Sequence, residues 1–268
     1  MKKLLALLTT LMITTQAFAS IAVTPTKIEI NANKIKTNYV TTAIEVRGDS
    51  QKAIRFRVYP EYFKISSTSE MLLDPVSDEF DISKKVKFVP SEFNVMPGKS
   101  QKLRINIANL KSLADGESRA VLFLEDVNAK EYALNTGTSG IGAQLIVKSR
   151  VGIPIYVDKG NVKKFADIEY LNIINEPDGL YTEMKIVSTG NSKVRYTGKA
   201  QILNGKKLIQ EYKIPDAVVG SDNFYISKEK VQRDNVVEAG EYTLRVVLSY
   251  FDENGKRKNI TKETQINI

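Results

Sequence analysis

Along most of this 268-residue chain, apolar and polar side chains alternate with a period of two, the signature of strands half-buried against a core. The clearest case is 53–59, where Ile54, Phe56 and Val58 share one side and Arg55 and Arg57 the other. Leu103, Ile105 and Ile107 alternate in the same way with Arg104 and Asn106. The pattern also predicts strands over 21–30, broken at Pro25, and over 39–46, 86–89 and 120–127. Gly48-Asp49, Pro90, Pro97-Gly98 and Asp115-Gly116 punctuate them as turns. Residues 66–85 are polar and acidic and read as a surface loop with at most a short strand. Residues 128–142, rich in Gly, Thr, Ser and Asn, read as a second loop. No stretch longer than a turn or two has helical periodicity.

Seven or so strands in about 140 residues is the pattern of an immunoglobulin-like sandwich. Composition shifts at 158–164, a charged, Gly-containing stretch that reads as a linker. The second half repeats the style. Strands are expected over 168–174, 180–187, 194–203, 206–214, 224–226, 240–251 and 259–268. Turns are expected at 176–179, at Asn204-Gly205 and at Asn254-Gly255. The expected fold is all-β, with two immunoglobulin-like β-sandwich domains in tandem over 20–158 and 165–268.

Residues 143–157 stand apart. They are too rich in Val and Ile, and too interrupted by Pro154, for a helix, and read as one long strand. The first part is apolar on both faces, which a strand needs only where both faces are covered. The middle carries Lys148 and Arg150, whose spacing puts both on one face. A strand with an apolar lead and a basic midsection has ladder hydrogen bonds, side-chain pockets and a seat for a carboxylate to present to an incoming chain. The residues alone equally allow a buried core strand and solvated cations.

Composition narrows the chemistry. Met1-Lys2-Lys3, an apolar run over 4–13 and Ala17-Phe18-Ala19 before Ser20 have the form of a signal peptide, 1–19, which predicts an exported, soluble mature chain. There is no Cys and no His, so disulfides, Cys or Ser–His nucleophiles and the usual zinc, copper and haem ligands are excluded. No cofactor or metal is expected. Asp74, Asp78, Glu79 and Asp81 lack the ligand spacing and fixed Gly of a calcium loop. No carboxylate pair stands out for glycoside hydrolysis, so the chain reads as a non-enzyme. The formal charge is +8; without Lys2 and Lys3, 37 basic against 31 acidic residues leave +6, a spread that serves solubility and calls for no nucleic acid. Glu117-Ser118-Arg119 reads as a turn former.

Four phrases, in order, resemble one family. They are Ile-Ala-Val-Thr-Pro-Thr-Lys-Ile at 21–28, Pro-Gly-Lys-Ser-Gln-Lys-Leu-Arg-Ile at 97–105, Glu-Ser-Arg-Ala-Val-Leu-Phe-Leu at 117–124 and Ser-Arg-Val-Gly-Ile-Pro-Ile-Tyr-Val at 149–157. Over roughly 20–160 the chain resembles the periplasmic chaperones of usher-dependent pilus assembly, as a divergent member. The resemblance implies two immunoglobulin-like domains meeting in an L. It also implies a cleft in which a basic pair grips the C-terminal carboxylate of a pilin subunit, and a seventh strand lent to that subunit's incomplete sandwich. The family's first-strand cation falls on Lys27. Its seventh-strand lysine falls on Gly152, and Arg150, about 7 Å along the same face, is the expected substitute, with Lys148 behind it. Leu145 and Val147, supported by Ala143 or Ile146, are the expected donor side chains. The implied partners are pilin-like subunits and an outer-membrane usher, or a second copy capping the same edge; the implied place is the periplasm, with no membrane insertion. The alternative is an exported tandem immunoglobulin-like adhesin that binds through loops such as 128–142.

Overall fold

The computed structural model describes residues 21–48, 52–73, 76–128, 130–135, 142–231 and 239–268, without the side chains of 130–135 and 142–146. The expected signal peptide therefore lies outside the described residues. Two β-sandwiches follow one another along the chain. In the first, β1 (Ile21–Thr24), β3 (Tyr39–Gly48), β9 (Ser100–Ala108) and β7 (Val86–Val89) form one sheet in that order. The facing sheet runs β2 (Ile28–Asn31), β13 (Arg150–Lys159), β10 (Gly116–Asp126), β4 (Ile54–Glu61) and β8 (Glu92–Val95). All ladders are antiparallel except β2–β13, which is parallel. As expected at Pro25, the first strand breaks there and changes sheet: β1 pairs with β3, and β2 with β13. The alternating residues close the core, with Phe56 and Val58 packed on Leu103, Ile105 and Ile107.

In the second sandwich β14 (Ala166–Glu176), β15 (Gly179–Ser188) and β18 (Asn223–Lys230) face β17 (Lys207–Val219), β16 (Val194–Asn204), β19 (Glu241–Phe251) and β20 (Arg257–Asn267). Their core, from Ala166 to Ile266, is separate from the first. The strand expected over 224–226 is eight residues long, because its backbone pairs with β15 from Tyr181 to Ser188 whatever its side chains do.

Two short hairpins stand outside these sheets. β5 (Phe63–Ile65) and β6 (Met71–Leu73) lie in the stretch read largely as a loop. The turn between them reaches the second domain. Ser69 Oγ accepts from the Val218 amide at 2.9 Å, and the Ser67 carbonyl from the Ile226 amide at 3.0 Å. β11 (Lys130–Asn135) and β12 (Gly142–Val147) form the other hairpin. Part of the loop expected over 128–142 is thus a strand.

The single strand expected over 143–157 is two. Val147 ends β12, Lys148 and Ser149 are in neither, and Arg150 opens β13. The facing chain breaks at the same level, between Asp126 and Lys130. The ladders of β10 run on to the break, with the Asp126 amide on the Ser149 carbonyl and the Val127 amide on the Arg55 carbonyl, and beyond it the register has shifted by two residues, from Glu125 opposite Arg150 to Lys130 opposite Val147. The strand visibly buried on both faces is β10: Ala120, Leu122 and Leu124 enter the sandwich core, and Val121 and Phe123 pack outside it with Phe63, Ile65 and Tyr156.

Candidate functional site

Lys27 stands where the chain, having crossed between sheets at Pro25, enters β2. Its ammonium lies 3.0 Å from a Glu29 oxygen and lines an interdomain cleft of about 640 Å³. Six cationic and four carboxylate side chains line that cleft, so it favours anions. Two of the cations flank Val194, the first residue of β16 in the second domain. Lys193 is buried, its ammonium 2.9 Å from Glu117, 3.5 Å from Glu29 and 3.4 Å above the centre of the Tyr156 ring. Arg195, two residues further on, is exposed, and its side chain makes no hydrogen bond or ion pair with a described residue.

Glu117, fully buried, is the anchor of this arrangement. It accepts from the Lys193 ammonium, from the Lys193 amide and Ser192 hydroxyl at 3.3 Å each, and lies 3.9 Å from Arg119. The Glu117-Ser118-Arg119 phrase therefore does more than shape a turn: it lies inside β10 and links the domains, Arg119 donating to Ser221 at 3.2 Å. Burial pushes the Glu29 carboxyl up, but the charges of Lys193 and Lys27 overcome this and hold it below the usual range. Burial and the Glu117 charge push the Tyr156 hydroxyl up, so it stays a neutral platform under Lys193.

Arg150 lies elsewhere on the same sheet. β13 turns Arg150, Gly152, Pro154 and Tyr156 to one face, and β2 turns Lys27 and Glu29 to the same face. Ile28 lies opposite Ile155, so about four residues, or about 13 Å, separate Lys27 from Arg150 along the strand. The side chains also turn apart. The Arg150 guanidinium crosses β10, stacks 4.2 Å above Phe123 and reaches Tyr59 at 3.4 Å and Glu61 at 4.0 Å. Lys148 is exposed at the break. Between the two cations, a Cβ at Gly152 would come within 2.9 Å of Val121 and 3.0 Å of Phe123, so no lysine fits there without displacing them.

The edge of this strand is the other half of the site. On the side away from β10, β2 covers β13 only from Ile155 to Asp158. On the side away from β11, β12 has no neighbour among the described residues. Among the described residues a backbone edge thus runs free from Gly142 to Pro154, and Pro154 is tolerated where its strand has a neighbour on one side only. Of the expected donor positions, Ala143, Leu145, Ile146 and Val147 all belong to β12. The side chains of Ala143, Leu145 and Ile146 lie outside the described residues, and Val147 is exposed.

The sequence reading passed over Lys193 and Arg195. Their signal was the one used at Lys148 and Arg150, two cations two apart on a strand, but nothing local joins 193–195 to Lys27. Among the described residues, no helix is long and apolar enough to cross a membrane.

No protein-family model and no curated protein matches this chain. Its fold is similar to that of solved fimbrial and pilus chaperones. The YadV chaperone is 9% identical, with a TM-score of 0.49 over 91% of this chain and 100% of that one. The CupB2 chaperone of Pseudomonas aeruginosa is 13% identical, with a TM-score of 0.42 over 91% and 100%. A CsuC–CsuE chaperone–tip adhesion subunit pre-assembly complex, from archaic chaperone–usher Csu pili of Acinetobacter baumannii, matches at 13% identity and a TM-score of 0.45 over 92% and 98%.

Proposed function

We propose that this protein is a periplasmic assembly chaperone, which caps a pilin-like subunit by lending it the β12–β13 edge and grips the subunit's C-terminal carboxylate at Lys27 before delivery to an outer-membrane usher. The observation that carries this reading is the parallel pairing of β2 with β13, which begins one residue beyond the free edge. A guest strand that continues the same side in the same direction is collinear with β2, and its C-terminus arrives where β2 starts, at Lys27. An antiparallel guest would bring its N-terminal ammonium to that cation instead. Lys27 therefore selects a parallel guest ending in a carboxylate.

In this proposal Arg195 is the second cation of the seat. It lines the same cleft, carries no competing ion pair among the described residues, and fills from the second domain the role that Gly152 lacks the space to fill. Lys148 and Arg150 meet the body of the guest, upstream of its terminus. Ala143, Leu145, Ile146 and Val147 are the lent side chains, which cover the groove of a sandwich missing one strand.

Co-purification with candidate pilin-like subunits from the periplasm tests this. Lys27→Ala and Leu145→Asp are expected to fold and to lose the subunit, Arg195→Ala to weaken its retention, and Arg150→Ala to matter less than either cleft substitution. Retention of the subunit by both Lys27→Ala and Leu145→Asp would overturn the reading.

A further inference from the structure

Lys27 already has a carboxylate on it. Glu29 stands two residues downstream on the same face of β2, its side chain 44% exposed, one oxygen 3.0 Å from the Lys27 ammonium and the other 3.5 Å from Lys193. Arg195 lines the same cleft and adds its charge to theirs. A carboxylate bound between Lys27 and Arg195 would find these cations around it and Glu29 as its like-charged neighbour. The fold supplies no other acid within ion-pair distance of Lys27 among the described residues.

We propose that Glu29 is an internal stand-in for the guest's carboxylate, which holds the cationic seat in the empty protein and must yield Lys27 when a chain terminus arrives. This rests on the carboxylate seat proposed above. Glu29 has somewhere to go: Lys193 lies on its far side and is fixed in place by buried Glu117. The displaced carboxylate gives up Lys27 and keeps the Lys193 contact that its other oxygen already makes, without leaving the cleft. The exchange makes the seat selective. A neutral C-terminus, or a chain passing through without ending, cannot compete with Glu29 for Lys27, whereas a true terminus with its backbone already paired along β13 can. Like charges this close, in a half-exposed cleft, oppose each other enough to weaken a bound anion severalfold.

The test uses the whole mature chain and two synthetic peptides of alternating apolar residues, about a dozen residues long to match the free edge. One ends in a free carboxylate and the other in an amide, and affinity is measured by calorimetry. The wild type is expected to prefer the acid. Glu29→Gln, which keeps the shape and removes the charge, is expected to bind the acid about five- to tenfold more tightly and the amide no more tightly than before. Glu29→Asp, which keeps the charge, should stay near the wild type. If the wild type prefers the acid but Glu29→Gln leaves acid binding unchanged or weaker, the stand-in role is overturned while the seat survives. If Glu29→Gln shifts acid and amide equally, its role is structural and the proposal is likewise overturned. If the wild type does not distinguish acid from amide, and Lys27→Ala changes neither, the seat itself falls and the stand-in with it.

Discussion

Glu117→Gln tests the buried charge arrangement that joins the domains. In the wild type one fully buried carboxylate serves two buried cations, Lys193 at 2.9 Å and Arg119 at 3.9 Å. The substitution keeps the shape and removes the charge. Lys193 keeps only half-exposed Glu29, and Arg119 is left without a carboxylate within 4.0 Å among the described residues. Removing one member of a buried ionic cluster costs about 3–5 kcal/mol, because the remaining charges stay desolvated without compensation. The lower end applies here, since Glu29 still faces Lys193. About 3 kcal/mol lowers the melting temperature of a chain this size by roughly 6–12 °C. Lys193→Met is the companion: its stem still covers Tyr156, but buried Glu117 keeps only Arg119 as a cation, at 3.9 Å and without a hydrogen bond, so a cost of about 3 kcal/mol is expected there too. Scanning calorimetry reads both. Because Glu117 and Lys193 lie on different domains, Glu117→Gln is also expected to split the unfolding of the two sandwiches into separate transitions. The reasoning is refuted if Glu117→Gln, or Lys193→Met, melts within about 2 °C of the wild type.

Three further outcomes are expected. Gly152→Lys should not restore a family-like cation: its Cβ meets Val121 and Phe123 at 2.9 and 3.0 Å, so denaturant unfolding should show a loss of about 1–3 kcal/mol and calorimetry no gain in acid-peptide affinity. Ser69→Ala removes the acceptor of the Val218 amide, so hydrogen exchange at Val218 should quicken at a stability cost of about 1 kcal/mol; unchanged protection there would show that the β5–β6 turn does not hold the second domain. The Glu29 carboxyl is held below its usual range when folded, so its contribution is complete above about pH 4.5 and is lost as pH falls through the lower folded value. Stability measured from neutral pH down to about pH 3 should therefore bring wild type and Glu29→Gln together, and curves that stay parallel would contradict it.

What the sequence disclosed depends on how far the cause of each feature lies along the chain. Ile54, Phe56 and Val58 announce their strand because the alternation is the strand's own burial pattern. Asn204-Gly205 announces its hairpin because the turn needs only a residue that accepts a positive φ, and Gly205 has φ of 58° beside the Asn204–Lys207 pair. The break after Val147 was not legible from 143–157, because it belongs to the pairing with the facing chain, whose register shifts by two residues between Glu125 opposite Arg150 and Lys130 opposite Val147. Glu117 and Arg119 looked like turn residues because polar side chains seldom enter a strand buried on both faces. Their partners, Lys193 and Ser221, lie some 75–100 residues away. Lys27 was legible from its phrase, but its cleft was not, since half of that cleft belongs to the second sandwich.

Under the proposed function, the edge left free among the described residues from Gly142 to Pro154 has to remain open to a guest without pairing with another copy of itself. Natural edges are usually protected by charge, Pro and kinks, and this one has Lys148, Arg150, Pro154 and a break at 148–149. Symmetric antiparallel pairing of two copies about that break would set Lys148 and Arg150 of one copy against the same residues of the other, and like charges across a ladder are destabilising. A parallel guest without cations at those positions escapes that repulsion, and in the proposed reading its carboxylate lies about four residues further along the strand, at Lys27. The Arg150 head is also held above Phe123 by Tyr59 and Glu61, which keeps it on the face of the sheet and off the ladder's hydrogen-bonding groups. Under the proposed function, Lys148 and Arg150 thus discourage self-pairing, while Lys27 and Arg195, in the adjoining cleft, receive the guest's terminus.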